Sequence, residues 1–136
     1  MRMLHSDDGG KLLLRLTIGV LMLLHGIAKL QSGVGHIAGM VTANGMHAAV
    51  AYLVLVGEIL APLALILGVF TRISALVIVV NMLFAIGLAH MGQLFTLTKS
   101  GGWGIELQAL FLFPALAIAL LGPGRFSLQS SGSRWN

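Results

Sequence analysis

Apolar residues fall into four long runs, at 12–30, 48–70, 72–90 and 103–122, parted by shorter polar and glycine-rich stretches. An α-helix needs about twenty apolar residues to cross a bilayer, and each run is close to that length. The pattern therefore predicts an all-α integral membrane protein, a four-helix bundle forming one domain over 1–136. The second run is the greasiest, VAYLVLVGEILAPLALILGVFTR, with one carboxylate, Glu58, near its middle. The stretch 31–46 reads as a polar loop, and 91–102 as a second one. The turn at 68–72 must be tight, because the third run begins at once. Gly122-Pro123-Gly124-Arg125 stops the last helix. Ser6 or Asp7 can cap the first helix, and the Ser/Gly-rich tail 126–136 is assigned no structure.

Polar residues inside these runs sit at helical spacings. Arg15, Met22 and Lys29 are seven apart, with Gly19 and Gly26 between them. On a helix they share one stripe, which is expected to face protein and not lipid. Pro62 follows Glu58 by four, so the Glu58 carbonyl loses its usual helical donor. Gly57, Ala61, Ala64 and Gly68 form a small-residue ridge that lets helices approach closely. Asn81 is expected to make an interhelical hydrogen bond. His90 lies half a helical rotation from it, so the two share a site only where the helix end unwinds. Glu106, Leu110 and Pro114 repeat a carboxylate and a proline on one face of the last helix. Trp103 stands where an interfacial aromatic belongs. A cleaved signal peptide is the competing reading of the first run, through Gly26-Ile27-Ala28. Arg15 inside the apolar region argues against it.

Composition agrees. The chain is 57% hydrophobic and 9% charged, against about 25% charged in soluble domains, and its mean hydropathy is +0.98. Without cysteine it has no disulfide, no thiol relay and no Cys-ligated metal. The loop histidines His36 and His47 lack a metal-ligand spacing, and no metal site is expected. A net charge of +4 would raise nucleic acid in a soluble protein. Here the cations lie mostly at helix ends, and no nucleic-acid partner is expected. Arg2, Lys11, Arg15, Arg72, Arg125 and Arg134 fall on one side of four spans, and only Lys29 and Lys99 on the other. The positive-inside bias then puts both termini in the cytoplasm.

With about 1.5 Å of rise per residue, Glu58 and Asn81 fall near the midplane. His25, Lys29, His90, Trp103, Glu106 and Gln108 fall in the outer half, and Arg15 near the inner face. These nine are the candidate site residues, and none is assigned a catalytic role. Two accounts of Glu58 compete. It pairs with Arg15, His25 or Lys29 and fixes the bundle, or it forms the protonatable floor of a polar cavity open outward. Such a cavity suits a quinone headgroup, a proton step or a small solute.

The set resembles the DoxX/DoxD-like family of small four-helix membrane proteins. The matching pieces are Arg15, His25-Gly26-Ile27-Ala28-Lys29-Leu30, Glu58 with Gly68-Val69-Phe70-Thr71-Arg72, Glu106, and Gly122-Pro123-Gly124-Arg125-Phe126-Ser127-Leu128. Gln129 departs from the pattern, where an acidic residue is frequent. The resemblance implies a multi-pass protein of the bacterial inner membrane. It also implies a link to redox complexes, since the family includes the small membrane subunit of an archaeal thiosulfate:quinone oxidoreductase. The expectation is a non-catalytic accessory subunit in the lipid bilayer, with no covalently bound cofactor, that binds quinone or docks a redox protein partner. The alternatives are a structural scaffold and a proton-coupled transporter. The transporter would use Glu58 as its coupling carboxylate and would form a homodimer through the Gly57/Ala61 ridge.

Overall fold

A computed structural model describes residues 6–129 and residue 136. These residues are helical apart from turns, loops and one isolated bridge between Leu97 and Trp103. The α-helices are α1 (Asp7–Ser32), α2 (Gly35–Ala43), α3 (Ala49–Leu67), α4 (Thr71–Ala85) and α5 (Glu106–Leu121). A π-helical turn, Ile86–His90, and a 3-10 turn, Met91–Gln93, continue α4. Among the described residues three helices are long and apolar enough to cross a membrane: Asp7–Ser32, Ala49–Leu67 and the continuous Thr71–Gln93. The fourth apolar run forms α5, which has 16 residues and is about 24 Å long at the usual rise.

Two expectations change. The stretch 31–46 is not simply a loop, because Gly35–Ala43 is helical. A nine-residue helix is marginal alone. Ile37 and Val41, one turn apart, bury themselves with Ala51 of α3 and hold it in place. The tail is also tethered where it is described. The Leu128 and Gln129 amides donate to the Leu67 and Gly68 carbonyls at 3.1 and 3.3 Å. Residues 130–135 lie outside the described residues, as do Arg2 and Arg134 of the charge argument. The first helix starts a turn before its apolar run. Ser6 Oγ accepts from the Gly9 amide at 2.9 Å, and Asp7 and Asp8 in the first turn complement the helix dipole.

α1 packs chiefly on α3, α4 on α5 and on α3, and α1 on α5. The predicted stripe of α1 is its buried face, including Arg15, Gly19, Met22 and Gly26. A Cβ on Gly19 would stand 2.8 Å from Ile66, and one on Gly26 would overlap the Glu58 carbonyl. That is the carbonyl freed by Pro62, so glycine lets α1 approach α3 where no amide occupies the space. Gly57 of α3 does the same for α4, since a Cβ there would lie 2.8 Å from Asn81 Nδ2. Asn81 in turn donates to the Val54 carbonyl at 3.3 Å, which is the expected interhelical bond. Gly57 and Ala61 of the ridge are thus buried inside the chain. Gly68 leaves the ridge altogether. It ends α3 with φ 75°, a left-handed conformation that suits glycine.

One end of the molecule is organised by two arginines. The last four carbonyls of a helix lack intrahelical partners, and those of α3 are all met. Ala64 O accepts from the Gly68 and Val69 amides, and Leu67 O from Leu128. Leu65 O and Ile66 O accept from Arg15 Nε and Nη2 at 2.9 and 3.2 Å. Arg15 Nη1 also donates to Pro123 O and Phe126 O at 2.8 and 2.7 Å, tying the chain after α5 to α1 and α3. Arg72 does the same for α5, donating to Ala119 O and Leu120 O at 2.8 and 2.9 Å. Asp8 accepts from the Arg125 amide at 3.1 Å, which brings the start of α1 to this end as well.

Candidate functional site

The other half of the molecule holds a cavity of about 410 Å³ between α1, α2, α3, the π turn and the start of α5. That size is within the usual range for small-molecule sites. Its apolar walls include Met22, Ile37, Met82, Phe84, Leu88 and Phe111, and its polar lining includes His25, Lys29, His36, Glu58, His90 and Gln108. On the side towards Arg15 the packed core continues through Ile18, Leu65, Ile78 and Ile118.

Glu58 and Lys29 form an ion pair in the cavity lining. Lys29 Nζ donates to Glu58 Oε1 at 2.6 Å, with the glutamate side chain 3% exposed and the lysine 38%. Helix geometry brings them together. Side chains lean towards the N-terminus of their own helix. α1 and α3 run in opposite directions, so Lys29 leans down towards Glu58 and Glu58 leans up towards Lys29. Glu58 Oε2 is buried and has no hydrogen-bond partner among the described residues. A buried ion pair contributes little net stability by itself, but a carboxylate left half-satisfied is costly. Of the two accounts of Glu58, the structure joins parts of both: a cation partner and a cavity wall.

A second polar pair lines the cavity from the π turn and α5. His90 Nδ1 is 2.9 Å from Gln93 Oε1 and His90 Nε2 is 3.2 Å from Gln108 Nε2. The amide of Gln108 must donate, so His90 carries its proton on Nδ1 and gives it to Gln93. Widening of the helix to the π form at Ile86–His90 puts His90 beside α5. His25 Nδ1 lies 2.9 Å from the Leu21 carbonyl, which only accepts. That ring therefore donates from Nδ1. Phe111 packs against His25 edge to face, with centroids 5.5 Å apart.

The cavity thus gathers His25, Lys29, Glu58, His90 and Gln108 from the expected set. Four candidates stand elsewhere. Arg15 lies at the far end of α1, where its hydrogen-bond partners among the described residues are backbone carbonyls. Asn81 faces α3 and an apolar groove between α3 and α4. Glu106 is exposed in the first turn of α5, where its charge complements the helix dipole. Trp103 is tied to the Leu94 carbonyl at 2.6 Å, outside the cavity. Missed by the sequence were Phe111, Ile37 and His36, which was weighed only as a metal ligand. The apolar pair Ile37/Val41 was the available signal for α2, masked by Gly35 and Gly39. His47 caps α3, its Nδ1 accepting from the Ala49 amide at 3.1 Å. Among the described residues no three His, Cys, Asp or Glu side chains are grouped to hold a metal.

Comparison with known proteins bears on this arrangement. The DoxX family model matches residues 10–91, more than half of the chain. The chain belongs to the DoxX family. The matched stretch of this DoxX protein runs from α1 through the π turn and carries Arg15, His25, Lys29, Glu58 and His90. Outside it lie α5, which supplies Gln108 and Phe111 to the cavity, and the Pro123 and Phe126 carbonyls that hold Arg15. Neither a curated protein nor a solved structure matches the chain.

Proposed function

We propose that this DoxX protein is a four-helix membrane bundle of the bacterial inner membrane, with α5 as the fourth crossing and both termini cytoplasmic. Its cavity holds a quinone headgroup in the service of a redox protein partner. The observation that carries the reading is one cavity with apolar walls and hydrogen-bonding pairs from different elements, Lys29 of α1 with Glu58 of α3 and Gln108 of α5 with His90 of the π turn. A quinone headgroup is a flat ring with an acceptor oxygen at each end. Lys29 retains two N–H groups beyond the one given to Glu58, and Gln108 retains one beyond that given to His90. Phe111, Met22 and Met82 offer ring and thioether contacts to its faces. The chain's part is to bind and orient the ring, while the ring itself carries the electrons.

The packed core between the cavity and the Arg15 end supports a binding site over a through-path, and so ranks quinone binding above proton-coupled transport. The test is mass spectrometry of lipid-soluble molecules that co-purify with the protein. Quinone is expected near one per chain. Ala89→Trp puts an indole at an exposed position of the cavity wall and should reduce it severalfold without lowering thermal stability. Quinone no more abundant than in an unrelated membrane protein purified alongside would refute the reading. Solute-dependent proton movement in liposomes would replace it with the transport one.

A further inference from the structure

The carboxylate acceptor of the cavity is unusually placed. Glu58 lines the cavity, is almost wholly buried and, among the described residues, accepts only from Lys29, so Oε2 is a buried carboxylate acceptor without a donor there. His25 has committed its Nδ1 proton to the Leu21 carbonyl. Lys29, beside Glu58, still has N–H groups to donate. A ligand hydroxyl satisfies such a pair fully, accepting from the ammonium and donating to the carboxylate. A ligand carbonyl accepts from Lys29 and leaves Glu58 as it was. The terminal torsion of a glutamate is broad and two-fold, so rotation about it can present Oε2 to a hydroxyl beside Lys29.

Resting on the quinone reading above, we propose that the cavity selects the reduced ring: it binds a hydroquinone more tightly than the matching quinone, through a hydroxyl donated to Glu58. Hydrogen bonds from a neutral hydroxyl to a carboxylate are short and strong. Their usual worth corresponds to roughly ten- to a hundredfold in affinity. The selection reaches the bound couple directly. A tenfold preference for the hydroquinone raises its two-electron midpoint potential by about 30 mV. A bound ring so biased is a weaker electron donor in its reduced form, and a stronger acceptor in its oxidised form, than the free couple. The site then suits a reaction in which quinone is reduced, taking up two electrons from a donor protein and two protons.

The experiment uses the full chain in lipid nanodiscs without oxygen. The probes are 2-methyl-1,4-naphthoquinone, its hydroquinone, and the dimethyl ether of that hydroquinone, which keeps the ring and the oxygens but cannot donate. Wild type should bind the hydroquinone at least tenfold tighter than the quinone, and the ether no better than the quinone. Glu58→Gln, whose amide presents a donor as well as an acceptor, should bring the ratio of hydroquinone to quinone affinity close to one. Lys29 is partly exposed and reaches water in that variant, so the fold is expected to persist, which thermal unfolding checks. Should Glu58→Gln fail to fold, the ether in wild type decides alone. Quinone bound as tightly as hydroquinone, or ether as tightly as hydroquinone, overturns the selection and leaves the quinone site standing. No binding of any of the three rings overturns both.

Discussion

Replacing Arg15 by methionine tests the most connected side chain of the molecule. Arg15 is 1% exposed and donates four hydrogen bonds to carbonyls of two separate segments. Methionine fills much of the same volume and donates nothing. The bonds to Leu65 and Pro123 are buried. Leaving each of those carbonyls unmet costs about 1–3 kcal/mol. The bonds to Ile66 and Phe126 are only part-buried, and water replaces them at smaller cost. Against this, the variant no longer desolvates a guanidinium, and replacing a buried charge by an apolar side chain of similar size can be favourable. The net expectation is a loss of about 2–4 kcal/mol. For a chain of this size that is roughly a 6–12 °C fall in Tm. Arg15→Lys keeps the charge but not the fork, and one ammonium cannot meet carbonyls on both segments. It should lose at least half as much. The assay is thermal unfolding in one detergent of wild type, Arg15→Met, Arg15→Lys and, as an exposed control, Leu53→Ile. Arg15→Met unfolding within 2 °C of wild type would refute the capping argument.

Two further outcomes test the seam and the orientation. Gly26→Ala drives a methyl into the Glu58 carbonyl and should destabilise the α1–α3 contact by about 1–3 kcal/mol, as overpacking does. Gly10→Ala, with nothing within 4 Å of its Cβ, should be neutral or stabilise by up to about 1 kcal/mol. Equal melting of the two variants would count against the close approach. Single cysteines at Ser6 and Leu128 should escape an impermeant thiol reagent in intact cells, while those at Ser32 and Ser100 are labelled. The reverse pattern would invert the proposed topology.

The sequence by itself determined the class of the protein, because the cost of carrying apolar runs in water and polar groups in lipid is written locally, residue by residue. It determined the buried stripe of α1, since seven-residue spacing fixes one helical face whatever lies opposite. It also marked the tight turn after α3, which needs the left-handed Gly68. Pairing across the bundle was decided only by the tertiary structure. Arg15, His25 and Lys29 were equal partners for Glu58 in the sequence. The antiparallel lean of α1 against α3 gives the carboxylate to Lys29 and sends Arg15 to carbonyls 50 to 111 positions away. Glu106 looked like a second intramembrane carboxylate until the rotation of α5 turned it outward. α2 exists because Ile37 and Val41 find Ala51 to pack against, and a helix so short owes its form to that contact and not to its own sequence. The cavity follows from the same cause: its polar groups come from helices that are distant in sequence, and only the register between those helices brings them to one depth.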